Sequence, residues 1–234
     1  MVASLARQVQ AAPGEGVTMG AATQAVLWDF GGVITSSPFE AFNRFEADHG
    51  LPRDFIRRVN ATDPQDNAWA RLERAEIDAA HFDRLFEAES AALGHAVPGR
   101  HILPLLAGTI RPRMVAALAT CRAAGLKLGC ITNNARVGEG PGMTADPDAA
   151  AAIAAVMARF DHVIESSKAG VRKPDPRIYL MMCEALAVTP EACIYLDDLG
   201  INCKPAAALG MRAIKVEDEA QALDALAVLT GLAF

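Results

Sequence analysis

The sequence predicts an α/β fold in which a doubly wound parallel sheet carries a helical insert after its first strand. Three observations lead to this prediction: short apolar runs recur along the chain, amphipathic helical segments alternate with them, and the strand pattern disappears over one long stretch. The chain has 234 residues, of which 52% are hydrophobic and 21% charged. A chain of this size and composition can bury a full hydrophobic core without disulfide bonds.

Five short apolar runs have the pattern of buried parallel strands. The first, AVLWD, spans residues 25–29 and leads directly into a glycine turn. The others are LKLGCI (126–131), HVIES (162–166), CIYLD (193–197) and RAIKV (212–216). Pro112 and Pro176 each begin an amphipathic helix between strands, and Gly125 stands where the first of these helices should end. Such alternation implies right-handed crossovers, with helices on both faces of the sheet.

Residues 38–108 show helical periodicity in place of strand patterns, with Phe39, Phe42 and Phe45 on one predicted face. We therefore predict a helical cap at 38–108 and a core formed by 25–37 and 109–234. The cap must leave and rejoin the sheet at its carboxyl edge, where ligands bind in open α/β folds. Residues 1–24 are predicted to be a flexible tail, and 133–160 a flexible loop that leads into a helix.

Charge and composition exclude several kinds of partner. The 22 basic and 28 acidic residues give a net charge of −6, which argues against nucleic-acid binding. No run reaches the roughly 18 apolar residues of a membrane helix, so no membrane partner is expected. Five cysteines without a C-x-x-C pair indicate a reducing, cytoplasmic location. The sequence is compatible with a monomer or a homodimer.

Four short signatures lie at the carboxyl ends of predicted strands or just beyond them. They contain Asp29 in WDFGGV, Thr132 in CITNN, Lys173 in GVRKPDPRIY, and Asp197 with Asp198 in YLDDLGINCKPA. In a parallel sheet all strand ends of one polarity open onto a single crevice, so these residues are expected to meet there.

Clustered carboxylates repel one another unless a cation lies between them, and hard oxygen ligands suit Mg²⁺. A carboxylate beside such an ion can also attack phosphorus and form an aspartyl phosphate. Thr132, with the turn amides after it, suits phosphoryl oxygens, and prolines stiffen the backbone around Lys173. Plainer roles remain open: a turn residue for Asp29, a loop cap for Thr132, and a solvated lysine, with Lys168 as the rival cation.

Taken together, these motifs resemble the haloacid dehalogenase-like hydrolase superfamily, whose core is Rossmann-like. The similarity is to the subfamily IA branch that contains the N-terminal phosphatase domain of soluble epoxide hydrolase. It runs from residue 25 to the end of the chain and is most specific in FDHVIESSKAGVRKPDPRIY and YLDDLGINCKPAAALGM. In the predicted cap, RLERAEID is similar to the helical cap of that branch.

The resemblance implies a Mg²⁺-dependent phosphatase that acts on a small-molecule phosphate ester. It implies that Asp29 is the nucleophile, Thr132 the phosphate-binding hydroxyl and Lys173 the neutralising charge. The remaining implied roles are Asn133 beside the substrate phosphate, Asn202 in shaping the loop after the acidic pair, and a Mg²⁺ site formed by Asp198, Asp197, the Asp29 carboxylate and the main-chain carbonyl of Gly31.

Gly31 is also a departure from the family pattern. Most phosphatases of the superfamily carry a second Asp at this position, which protonates the leaving group. General acid–base catalysis contributes roughly 10²–10⁴-fold, so the glycine predicts slow turnover or substrates with good leaving groups. Two alternatives follow: a binding module that retains affinity for phosphate and metal but has little activity, and a metal-independent dehalogenase that uses the same nucleophile.

Overall fold

The computed structural model describes residues 22–135, 144 and 146–234, and its fold is the predicted α/β class. Each of the five apolar runs forms a parallel strand. The strands are β1 (Ala25–Trp28), β2 (Lys127–Thr132), β3 (His162–Glu165), β4 (Cys193–Asp197) and β5 (Arg212–Lys215). The α-helices are α1 (Pro38–Asp48), α2 (Phe55–Ala61), α3 (Ala68–Glu73), α4 (Ala79–Ala92), α5 (Pro112–Ala123), α6 (Pro147–Met157), α7 (Ser166–Ala169), α8 (Pro176–Leu186), α9 (Gly200–Ala208) and α10 (Glu219–Thr230).

The sheet has the strand order β3-β2-β1-β4-β5, with β1 at its centre. Trp28 pairs with Cys130 of β2 on one side and with Leu196 of β4 on the other. The chain order reverses between β1 and β4, which is the topological switch point where open parallel sheets bind ligands. The residues that follow these two strands therefore lie at the expected position for a site.

Alternate residues of the central strands enter two separate apolar layers. Val26 and Trp28 pack in one layer with residues of α5, α6 and α10. Ala25 and Leu27 pack in the other layer with residues of α8 and α9. Because the strands are buried on both faces, their sequences are continuously apolar rather than alternating.

The segment 38–108 is described throughout and contains only helices and connecting turns. Two short 3₁₀ turns, Gly99–His101 and Leu103–Leu106, complete the four α-helices of this segment. It has its own apolar core, built around Phe42, Phe55, Phe82 and Phe86. We call this segment the insert.

A short stem connects the insert to the sheet. The Ser36 amide donates to the Thr109 carbonyl at 2.8 Å, and the Thr109 amide donates to the Ser36 hydroxyl at 3.0 Å. Thr35 and Ile110 add an antiparallel bridge just below. The outgoing and returning chains thus lie side by side.

Hydrogen bonds to the sheet begin just before β1. The Gln24 amide donates to Ala192, and the Gln24 carbonyl accepts from Lys127, although the sequence placed this residue in the tail. Residues 1–21 of the predicted tail, and 136–143 and 145 of the predicted loop, lie outside the described residues. All five cysteines are free and buried. Across the described part of the chain, helices long and apolar enough to span a bilayer are absent.

Candidate active site

Asp29 follows β1 directly and lies at the centre of the sheet's carboxyl edge. Its amide donates to the Leu196 carbonyl at 2.8 Å, which extends the β1–β4 ladder by one residue. Its carboxylate accepts from the Phe30 amide at 2.7 Å, so the side chain begins the tight turn Phe30–Ile34. The predicted turn role is therefore present, and the carboxylate also contacts a lysine.

Lys173 is the cation of this edge, and only 1% of its surface is exposed. Its Nζ lies 2.7 Å from Asp29 Oδ1 and 2.7 Å from Asp197 Oδ2. The Asn133 side chain holds the Lys173 backbone, since it accepts from the amide at 2.9 Å and donates to the carbonyl at 3.0 Å. Lys168, the rival cation, is an exposed partner of Glu165.

The charges of the cluster shift one another's pKa. Burial favours neutral Lys173, but the charges of Asp197 and Asp29 and their hydrogen bonds outweigh it, so the pKa of Lys173 is raised. Burial also raises the pKa of Asp29 well above its usual range; Lys173 opposes this effect, and Asp197 and Asp198 add to it. A further cation beside Asp29 would lower the pKa of this carboxyl group again.

Asp197 is fully buried and bonded almost entirely to protein groups. Its Oδ1 accepts from the Leu199 amide at 2.8 Å, and the Asn202 side chain donates to both carboxylate oxygens at 3.1 Å. The Tyr195 hydroxyl donates to Oδ2, which also contacts Lys173. These bonds hold the Asp197 carboxylate in one orientation, in which it contacts Lys173. Asn202 contributes by donating to both of its oxygens.

Asp198 is the more accessible carboxylate of the pair. Ligand atoms of Asp29, Asp197 and Asp198 all lie within 4.8 Å of one another, a spacing that suits one metal ion. The Ser37 hydroxyl donates to Asp198 Oδ2 at 3.3 Å. Burial and the charge of Asp197 raise the pKa of Asp198 to about 6. When ionised, three carboxylates outnumber the single ammonium by two charges, so the donor set fits a divalent cation.

Two glycines shape the turn after Asp29, and they differ in whether the backbone geometry requires a glycine. Gly32 has a φ of +81°, and a Cβ on it would lie 2.2 Å from Asp198 Oδ2. Gly31 has an ordinary φ of −68°, and a Cβ there would meet nothing within 4 Å. Arg111 fastens this turn by donating to the Gly32 carbonyl at 3.0 Å. Gly32 is thus required by the geometry, whereas Gly31 is sterically replaceable.

A cavity of about 350 Å³ opens above this edge, between the sheet and the insert. Thr132, at the end of β2, and Asn133 line its polar floor together with Asp29, Lys173 and Asp198. The insert supplies an apolar wall. That wall includes Phe39, Phe42, Trp69 and Leu106. All four predicted signatures therefore face one enclosed space.

A buried lysine thus lies between two carboxylates at the switch point of the parallel sheet, below the insert. The family model for haloacid dehalogenase-like hydrolases matches residues 23–210. The chain belongs to this family.

Curated relatives extend well beyond the matched region. The chain is 31% identical over 217 residues to acyl-CoA dehydrogenase family member 10 of Mus musculus, covering 91% of this chain and 20% of the relative. It is 29% identical over 228 residues to bifunctional epoxide hydrolase 2 of Mus musculus, covering 91% of this chain and 40% of that relative. A phosphatase of Mycobacterium tuberculosis is 34% identical over 108 residues, 46% of each chain. The chain thus spans less than half the length of the first two relatives.

Solved structures share the fold. A haloacid dehalogenase family enzyme from Bacteroides thetaiotaomicron, in complex with magnesium and inorganic phosphate, aligns with a TM-score of 0.54 and 18% identity over 84% of this chain and 96% of that one. L-2-haloacid dehalogenase from Xanthobacter autotrophicus, with chloropropionic acid covalently bound, aligns with a TM-score of 0.56 and 20% identity over 91% and 85%. At these identities the likeness concerns the fold.

Several residues that build the site were not among the residues predicted from the sequence. Gly32, in the GG pair after Asp29, was open to prediction because paired glycines often mark a positive φ. Ser37 before Pro38 has the pattern of a helix N-cap, but nothing in that pattern links it to Asp198. Tyr195 lies two residues before Asp197 on the same face of β4, so strand alternation could have suggested its contact, whereas Arg111 carries no local signal because it reaches Gly32 only through the tertiary fold.

The two glycines predict opposite responses to substitution. Gly32→Ala is expected to lower the free energy of unfolding by at least about 2 kcal/mol, because a Cβ is strained at positive φ and overlaps Asp198. Gly31→Ala is the matched control and is expected to leave that free energy unchanged or raise it by up to about 1 kcal/mol. Urea denaturation of the two variants measures both values. Equal destabilisation of the two would contradict this description of the turn.

Proposed function

We propose that the protein is a Mg²⁺-dependent phosphatase of small phosphate monoesters that acts through an aspartyl-phosphate intermediate. One observation supports this above all: Lys173 joins Asp29 to Asp197 at the floor of the cavity, with Asp198 and Thr132 beside them. In this proposal the insert, 38–108, is a cap over a core of 25–37 and 109–234. The phosphatase relative supports the same class.

In the proposed first step, an Asp29 carboxylate oxygen attacks phosphorus and the bond to the leaving oxygen breaks. Lys173 opposes the rise in the pKa of Asp29 that burial causes, and it neutralises charge that develops on the phosphoryl oxygens. The Thr132 hydroxyl and nearby loop amides bind the equatorial oxygens. Water then attacks the acyl phosphate, releases inorganic phosphate and restores Asp29.

Mg²⁺ fits the donor set described above. We assign it to Asp198, Asp29 and the Gly31 carbonyl, with Asp197 as the buried support. When bound, a divalent cation would supply positive charge to the phosphoryl oxygens and to the nucleophile. The pKa values of Asp29 and Asp198 are raised in the folded protein, and such a charge would lower them.

The protonation of the leaving group is the weak point of this site. Gly31 offers no acid, so the proposed substrates are esters whose alcohols leave as stable anions, such as aryl esters, or acyl phosphates. The same glycine supports the alternative of a phosphate-binding module with little turnover. Dehalogenation is a further alternative, and the retained acidic cluster argues against it because that reaction requires no metal.

The nucleophile assignment predicts that Asp29→Asn abolishes phosphate release. The amide cannot form an acyl phosphate by this route, and Lys173 keeps its contact with Asp197, so the fold is expected to persist. Inorganic phosphate release from sugar, nucleotide, lipid and aryl phosphates measures the effect, with and without Mg²⁺. Turnover retained in the folded variant would refute the assignment. If even the wild type were inactive yet bound Mg²⁺, the binding module would be favoured, and chloride release from 2-haloacids in EDTA would favour the dehalogenase.

The raised pKa of Asp198 predicts a pH-dependent stabilisation by Mg²⁺. Its proton is held more tightly in the folded chain than in the unfolded one, so this group's contribution to metal-free stability is present below about pH 4 and is lost as pH rises through about 6. Metal binding requires the ionised form. The Mg²⁺-induced rise in Tm is therefore expected to grow between pH 5 and pH 7.5. Thermal unfolding measures this, and Asp198→Asn should remove both the rise and its pH dependence.

The open space at Gly31 predicts that Gly31→Asp increases activity. A carboxylic acid at this position can protonate the leaving oxygen, so kcat/KM for alkyl phosphates is expected to rise by roughly 10-fold or more. Acetyl phosphate, whose leaving group needs no proton, should show little change. Steady-state kinetics with both substrates distinguishes the two effects. An equal change for both would contradict a role in leaving-group protonation.

A further inference from the structure

One ion pair joins the insert to the core among the residues that the structure describes. Arg172 Nε lies 2.6 Å from Glu73 Oε2, and the two side chains are only 16% and 8% exposed. Glu73 ends α3 of the insert, and Arg172 immediately precedes Lys173. The pair therefore joins the insert to the core at the lining of the cavity.

Glu73 uses three of its oxygens for different partners. Its Oε2 takes the guanidinium, its Oε1 accepts from the Trp69 indole at 3.0 Å, and its main-chain carbonyl accepts from the Ser166 hydroxyl of α7 at 2.8 Å. The carboxylate thus orients a tryptophan of the cavity wall while it binds the core. Both Trp69 and Glu73 line the cavity.

Arg172 makes a second contact with the insert, because its Nη1 donates to the Pro64 carbonyl at 3.0 Å. One peptide unit later, Lys173 is held by Asn133 and reaches Asp29. Arg172 therefore joins the insert to the segment of the core that carries Lys173, while Lys173 itself is held in place by Asn133 and Asp29.

We propose that Glu73 and Arg172 form a latch that holds the insert closed over the cavity. Both are positioning residues, and the inference concerns the proposed phosphatase site. The largely buried pair is suited to this task, since it is less affected by salt than a surface pair but can exchange its partners for water when the insert opens. We expect the leaving group of a large phosphate ester to contact the insert and that of a very small substrate not to reach it.

The first experiment measures closure without any activity. The chain has two tryptophans, and Trp28 is fully buried, so acrylamide quenching of fluorescence reports on Trp69. Arg172→Gln breaks the latch without touching Trp69 and is expected to raise the quenching constant about twofold. Glu76→Gln is the matched control, because Glu76 pairs with Arg74 at the same 2.6 Å but within the insert. It should quench like the wild type.

The second experiment compares two substrates with good leaving groups, an aryl phosphate and an acyl phosphate. The absence of an acid at Gly31 is expected to affect neither. For Arg172→Gln, kcat/KM with p-nitrophenyl phosphate is expected to fall about tenfold, because small misplacements of positioning groups can cost roughly 100-fold. Acetyl phosphate should fall less than twofold. Glu73→Gln should behave similarly, and the double variant should lose no more than the worse single variant. Arg172→Lys, which keeps the charge, should recover part of the activity.

The outcomes separate the latch from other roles. Equal losses of kcat/KM for the two substrates, with unchanged quenching, would mean that Arg172 binds the phosphoryl group directly and would overturn the latch. Quenching and kinetics both at wild-type values would overturn it too. A wild type that hydrolyses neither substrate would refute the proposed function, while the quenching measurement would still test the latch. If Arg172→Gln does not fold, Arg172→Lys in the same assays replaces it.

Discussion

The whole site depends on one buried ammonium. Lys173 is withdrawn from water, and its charge is tolerated because carboxylates from two adjacent strand ends contact it at 2.7 Å. Each of those carboxylates is in turn held by main-chain amides, so the lysine cannot move without disturbing the central strands. The ion pairs with Asp29 and Asp197 thus offset the free energy of desolvating the ammonium. The same contacts hold the Asp29 carboxylate in a defined orientation.

The fold and the positions of the site residues could largely be predicted from the sequence. Continuous apolar runs followed by Asp29 and by the pair at 197–198 reflect strands buried on both faces, a pattern that few other structures produce. The topology then brings these ends together. Most supports of the site could not be predicted in this way, because Arg111 and Glu73 contact residues 79 and 99 positions away along the chain, a relation that no local pattern encodes.

The two acidic neighbours illustrate how burial divides roles between identical side chains. Asp197 ends β4 fully buried, and its carboxylate oxygens are bound by Tyr195 and Asn202. Asp198, one residue later, faces the cavity and keeps oxygen atoms available. A sequence shows only DD at this point, and the distinction appears once the strand direction is known.

The stem between sheet and insert has a consequence for how such a protein can change. The outgoing and returning chains at Ser36 and Thr109 are hydrogen bonded to each other, so both ends of the insert are attached to the sheet at one place. Lengthening, shortening or exchanging the helices beyond that point leaves the register of β1 and the spacing of the acidic edge intact. The apolar wall of the cavity can therefore diverge while the spacing of Asp29, Lys173 and Asp198 beneath it stays the same.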